Sequence, residues 1–183
     1  MHNEIMKYKN ICCFCGASSE VSNRYHKIAK DFGIFLAKND MTLVYGGGAL
    51  GLMGTLSNSV LQNKGYVIGI FPKILDEKEQ LNENIQEIIL VNSMFERKKV
   101  MIEKSDAFVI LPGGFGTLDE LFEALTLKML GLHNKPIIIL NSDGFWNELI
   151  TLFQKIKAHK FGNYNIGKEF FMIDDIDQIN SII

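Results

Sequence analysis

Ala107-Phe108-Val109-Ile110-Leu111-Pro112-Gly113-Gly114-Phe115-Gly116-Thr117-Leu118-Asp119-Glu120 decides how the chain is read. Its first five residues are a short apolar run, too short and too β-branched for a helix, and they predict a buried strand. From Leu118 onward Leu121, Leu125, Leu127 and Leu130 recur at helical spacing, so the glycines lie where a strand hands over to a helix N-terminus. Such a corner suits an anion. Glycines remove the Cβ atoms that would block its approach, and the unpaired amides of the first helical turn point at it with the positive end of the helix dipole. The stretch therefore predicts a phosphate cradle. It lacks the Lys-Ser/Thr pair with which a P-loop holds β/γ-phosphates and magnesium, so a monophosphate fits better than a triphosphate.

Working outward, strand and helix alternate along the chain. Ile11 to Phe14 reads as a first buried strand closing on Cys15-Gly16-Ala17-Ser18-Ser19, a small-residue turn that lets a ligand near the backbone. Asn23 is expected to cap a helix with the apolar face Ile28, Phe32, Phe35 and Leu36, ending near Asn39-Asp40. A strand over Thr42 to Tyr45 runs into Gly46-Gly47-Gly48-Ala49-Leu50-Gly51-Leu52-Met53-Gly54, and a helix follows as far as Lys64-Gly65. Tyr66 to Phe71 is a third strand, broken by Pro72. Lys73 to Glu87 is irregular and charged, a loop with a helical turn flanking a site. Next come a strand at Ile88 to Val91, a helix from Asn92-Ser93 carrying Arg97-Lys98-Lys99, and, after the central turn and its helix, a strand at Ile137 to Leu140. A helix around Trp146 to Lys157, a strand at Phe170 to Ile173 and a last helix near Asp175 to Ile182 complete the pattern. Strands that are mostly continuous apolar runs indicate a parallel sheet covered on both faces. The predicted fold is α/β: a single Rossmann-like, doubly wound domain over residues 1–183, with its ligand outside the carboxyl ends of the strands.

Bulk properties narrow the function. A chain of 183 residues with 47% hydrophobic and 22% charged residues has the composition of a globular protein with a real core. A formal net charge of −2 leaves no general electrostatic footprint for nucleic acid or an anionic membrane. Apolar runs fall short of the roughly 20 residues that span a bilayer, and the polar start of the chain does not read as a signal sequence. A cytoplasmic protein is expected. Cys12, Cys13 and Cys15 crowd into one strand, too close for a disulfide framework, and read as buried thiols. His2, His26, His133 and His159 show no metal-ligand spacing.

Gly46-x-Gly48-x-x-Gly51 satisfies the dinucleotide pattern, but the next strand closes on Pro72 rather than on an acid that could hold a ribose hydroxyl. A nicotinamide or flavin dinucleotide is disfavoured. Two readings of this loop stay open: a tight helix-to-strand packing turn, or a second loop contacting an anion or a base. Glu120 is more informative. A carboxylate in the first turn of a helix is favoured by the dipole alone. Beside a phosphate it is repelled unless a cation balances it, as Arg97 or Lys98 would, or unless the reaction develops positive charge. Cleavage of an N-glycosidic bond does so, through an oxocarbenium-like transition state that a carboxylate stabilises while orienting or deprotonating water. Arg97 and Lys98 read either as phosphate ligands or as a solvated helix face.

The run Pro112-Gly113-Gly114-Phe115-Gly116-Thr117-Leu118-Asp119-Glu120 resembles the PGGxGTxxE signature of the LONELY GUY proteins, and Arg97-Lys98 resembles their second motif. These are the cytokinin riboside 5′-monophosphate phosphoribohydrolases, long mislabelled as lysine decarboxylases. The likeness extends over nearly the whole chain. It implies a Rossmann-like homodimer that hydrolyses a nucleoside 5′-monophosphate, AMP or an N6-modified cytokinin riboside monophosphate, to free base and ribose 5-phosphate without metal or organic cofactor. By position it implies Arg97 and Glu120 as the catalytic pair. Substrate binding falls to Gly114, Phe115, Gly116, Thr117, Leu118, Asp119 and Glu120 with Arg97 and Lys98, joined by Glu79 and Thr126. Asp119 stands where many members have Glu, Phe95 where many have His, and Ala49 where Ser or Val is common. Relatives sharing the glycine turn include molybdenum cofactor carriers, so a non-catalytic nucleotide or cofactor carrier is the alternative.

Overall fold

Seven short apolar runs become the strands of one sheet in the computed structural model, which describes residues 8–75, 80–162 and 167–183. They are β1 (Asn10–Phe14), β2 (Thr42–Tyr45), β3 (Val67–Pro72), β4 (Glu87–Val91), β5 (Ala107–Ile110), β6 (Ile137–Leu140) and β7 (Phe171–Ile173). Their order is β4-β3-β2-β1-β5-β6-β7, and every neighbouring pair is parallel. The α/β doubly wound architecture expected from the alternation is the one observed. Parallel strands need crossovers, and among the described residues five helices supply all but the one between β3 and β4: α1 (Asn23–Lys38), α2 (Gly51–Gln62), α3 (Met94–Lys104), α4 (Phe115–Met129) and α5 (Asn147–Ala158).

Alternation along each strand sorts the core into two layers. Ile11, Cys13, Leu43, Tyr45 and Val109 face α1 and α2, where Phe32, Leu36, Leu56 and Val60 cover them. Cys12, Phe14, Val44, Phe108 and Ile110 face the other way, under Met101 of α3, Leu121 and Leu125 of α4 and Phe153 of α5. The central strands are buried on both sides, so no polar alternation appears in their sequence. Each large aliphatic side chain fully buried there contributes roughly 1.5–3 kcal/mol.

The topology also fixes where a ligand can sit. From β1 the chain winds outward through β2 and β3 to β4, then returns through α3 to β5 on the opposite side of β1. The strand order reverses between β1 and β5. Loops leaving their carboxyl ends diverge to opposite faces, and a crevice opens between them.

Three local expectations are corrected. The α1 N-cap is Ser22 rather than Asn23, which is already helical, and no side chain closes the cap. The last helix is a 3₁₀ segment, Ile176–Ser181, held by a capping box between Asp175 and Gln178. Most consequentially, α4 begins at Phe115 and not at Leu118, so Glu120 lies in its second turn.

Candidate active site

The crevice between β1 and β5 is a cleft of about 570 Å³, a size typical of small-molecule sites. Its floor comes from the two turns at the reversal point: Cys15, Gly16, Ala17 and Ser18 after β1, and Pro112, Gly113, Gly114 and Gly116 after β5. The turns are tied together, Gly16 donating its amide to the Pro112 carbonyl at 3.0 Å. Gly114 is the N-cap of α4 and has no side chain with which to close the helix end. A Cβ added at Gly114 or at Gly116 would meet nothing within 4 Å, so no packing demand within the described residues calls for glycine at either position. Gly113 differs, because a Cβ there would stand 2.0 Å from Thr117 Oγ1. The Thr117 side chain is buried against the turn and stiffens it.

Arg97 and Glu120 meet over this floor. The start of α3 is secured by Ser93, whose hydroxyl accepts the Glu96 amide at 3.1 Å, and by the Glu96 carboxylate, which accepts the Asn92 amide at 2.7 Å. That end places Arg97 in the first full turn, buried except for 5% of its surface. Its Nη2 donates to the Gly46 carbonyl at 3.1 Å, and its Nη1 lies 3.9 Å from Glu120 Oε1. Arg97 Nε is buried without a hydrogen-bond partner among the described residues. Glu120, its side chain only 12% exposed, projects from the second turn of α4. The dipole benefit to a carboxylate fades beyond the first turn, so end-capping does not explain this acid. The geometry thus puts a largely buried carboxylate opposite a buried guanidinium in the wall of the cleft.

Lys98 points elsewhere. Its ammonium is bound by Glu123 and, at 2.9 Å, by Asp119, both on α4. Burial works to lower its pKa, but the two carboxylates outweigh burial and the net shift is upward, so the cation is secured. Asp119 in turn lines the cleft. The thiols of Cys13 and Cys12 are pushed up, chiefly by burial, and stay protonated at neutral pH. Among the described residues no group of three or more His, Cys, Asp and Glu is placed to hold a metal ion, and no helix is long and apolar enough to cross a membrane.

A family profile described as "Possible lysine decarboxylase" matches residues 53–183. The chain is 44% identical over 155 residues to cytokinin riboside 5'-monophosphate phosphoribohydrolase LOG3 of Arabidopsis thaliana, covering 85% of this chain and 72% of that protein. It is 42% identical over 168 residues to LOG4 of the same plant, covering 90% and 78%. The chain belongs to the LOG family. Two solved structures share its fold at lower identity. The molybdenum cofactor binding protein from Rippkaea orientalis has a TM-score of 0.71 at 22% identity, covering 97% of this chain and 98% of that one. The carrier protein MCP from Chlamydomonas reinhardtii has a TM-score of 0.72 at 19% identity, covering 95% and 94%.

Of the residues marked by the LOG motifs, Arg97, Gly114, Gly116, Thr117, Asp119 and Glu120 line one cleft. Phe115, Leu118, Thr126 and Lys98 do not. Phe115 is 92% exposed, and Thr126 lies on the exposed side of α4. Glu79 falls outside the described residues. The motifs also miss an apolar wall: Val21 just before α1 and Tyr25 in its first turn, Leu52 and Met53 from α2, Met94 and Met101 from α3, and Phe145 after β6. Tyr25 and Phe145 meet edge to face at 5.4 Å. Periodicity assigns such residues to the core, and only the position of Phe145 just beyond a strand's carboxyl end hints at the cleft.

Proposed function

We propose that this LOG-family protein hydrolyses the N-glycosidic bond of a nucleoside 5′-monophosphate, AMP or an N6-modified cytokinin riboside monophosphate, releasing free base and ribose 5-phosphate. The observation that carries the reading is the Arg97–Glu120 pair, 3.9 Å apart, beside a glycine-lined helix N-terminus. The open turn at Gly114 and Gly116 seats the 5′-phosphate on backbone amides. Glu120 attends C1′: as the C1′–N bond breaks and the electron pair leaves with the base, the carboxylate stabilises the developing sugar cation and takes a proton from the attacking water. The departing base gains a proton in exchange. Lys98 is committed to Asp119 and Glu123, so balancing Glu120 beside a phosphate falls to Arg97. The apolar wall takes the base. A molybdenum cofactor carrier is a fold-level likeness only, and the buried pair favours hydrolysis over carriage.

The protein is further inferred to work as a homodimer. Phe95, Phe115, Phe122, Met129 and Leu130 expose apolar surface along α3 and α4, a larger display than scattered surface residues give. Thr126 belongs to the same face of α4, so a substrate contact from Thr126 is made across that interface. Three free thiols suit a reducing compartment such as the cytoplasm.

Incubation with AMP, isopentenyladenosine monophosphate and adenosine, with chromatography for free base, tests the reaction. Base is expected from the monophosphates and not from adenosine. Glu120→Gln should lower release about 1,000-fold with AMP binding retained. No base from any monophosphate overturns the reaction, and an active Gln variant overturns the role of Glu120.

A further inference from the structure

We propose that Gly46, the first residue after β2, is a positioning residue for Arg97: its missing side chain and its carbonyl together fix the guanidinium beside Glu120. The proposal rests on the reading of Arg97 and Glu120 as the reacting pair. Gly46 is not among the residues with positive φ, so its backbone would accept an alanine. The nearest obstacle is Arg97. A Cβ built on Gly46 would stand 1.7 Å from Arg97 Nη2, 2.7 Å from Cζ and 3.2 Å from Nε, so the guanidinium occupies the space of the absent side chain. The Gly46 carbonyl then accepts from Nη2 at 3.1 Å. The other contacts of the guanidinium are longer: 3.9 Å to Glu120 and 4.0 Å to Met94 Sδ.

An Arg buried this deeply, with its Nε unpartnered among the described residues, is held there by few directional bonds. Its direction is therefore set by the surface against which it lies. A methyl group at position 46 cannot coexist with the guanidinium as placed, and the far end of Arg97 must move by an ångström or more. Misplacement on that scale costs a reaction on the order of 100-fold. The first glycine of the loop after β2 thus makes room for a side chain of α3 rather than for a dinucleotide.

The test compares wild type, Gly46→Ala, Arg97→Ala and the double variant by AMP hydrolysis and thermal melting. Gly46→Ala should lower kcat roughly 100-fold, with a smaller rise in KM for AMP of at most about tenfold, because the phosphate seat on α4 is untouched while Arg97, which offsets Glu120, moves. Its melting temperature should fall in the wild-type background and not in the Arg97→Ala background, where the space is free. A Gly46→Ala enzyme with wild-type kcat, a loss confined to KM, or an equal melting decrease in both backgrounds would overturn the proposal. If wild type itself releases no base, the reading of the reaction fails, while the melting comparison still decides whether Gly46 holds Arg97.

Discussion

The two glycine-rich loops at the cleft look alike in sequence and do opposite things. Along the loop after β2, every missing side chain is replaced by the protein itself. Arg97 fills the place at Gly46, Met53 Cε would lie 2.7 Å from a Cβ at Gly48, and the carbonyl oxygens of Ala17 and Ala49 stand 2.3 and 2.0 Å from Cβ atoms at Gly51 and Gly54. In the turn after β5, Gly114 and Gly116 have nothing within 4 Å of the corresponding position. Glycine in the first loop is thus a packing requirement, as it is at Gly113 against Thr117, whereas at Gly114 and Gly116 it keeps an anion's path to backbone amides open. A motif counts glycines; only their surroundings tell the two uses apart.

Alanine at one position in each loop should break this comparison if it is wrong. Gly51 has φ +59 and the Ala17 carbonyl against it, so Gly51→Ala combines left-handed strain with overlap. A loss of about 3 kcal/mol is expected, roughly 10 °C in melting temperature for a chain of this size. Gly116 is inside α4, where alanine is the better helix former by up to about 1 kcal/mol. Gly116→Ala should hold or raise the melting temperature while KM for AMP rises about tenfold. Equal melting decreases in the two variants would erase the distinction, and unchanged KM in Gly116→Ala would remove the phosphate from this turn.

Lys98 sharpens the same contrast at the open turn. It neutralises Asp119, which lines the cleft next to the proposed phosphate seat. Lys98→Ala should release that negative charge toward an anionic substrate and raise KM roughly tenfold, with Lys98→Arg close to wild type. Asp119→Asn placed in the Lys98→Ala background should recover most of the loss. If it does not, Lys98 acts on substrate directly.

What could be read from the residues alone follows from the range of each interaction. The strands and most helices were legible because burial on both faces writes itself into continuous apolar runs such as Ile137 to Leu140. The residues alone offer either Arg97 or Lys98 as the cation facing Glu120, and only the family motifs single out Arg97. Phe115 and Gly116 show no helical apolar repeat, so periodicity alone starts α4 three residues late and gives Glu120 the look of an end-capping acid. The partners of Lys98 and the filler of Gly46 were not legible. Both depend on how α3 packs against elements at least 21 residues away in sequence, contacts that no local pattern records.

The smallest expected effect concerns the opposite end of the sheet. His133 lies in the connection into β6, at the amino-terminal edge of the strands and away from the cleft. Its Nε2–H donates to the Ala124 carbonyl at 2.9 Å and its Nδ1 accepts the Lys135 amide at 3.2 Å, so the bonded ring is the neutral one. Burial lowers its pKa below the ordinary 6.5; the bond to Ala124 opposes this, and the charges of Lys135 and Lys128 add to the lowering. The unfolded chain therefore binds this proton more readily than the folded chain. Its contribution to stability is complete above about pH 6.5 and is lost as pH falls from there through the folded value. The urea midpoint of wild type should accordingly decline slightly between pH 7.5 and 5.5, and His133→Gln should flatten part of that decline. Base release by His133→Gln at pH 7.5 should match wild type, since the cleft lies at the other end of the strands. An unchanged slope would assign the acid sensitivity to other groups, and a loss of base release would show that the two ends of the sheet are coupled.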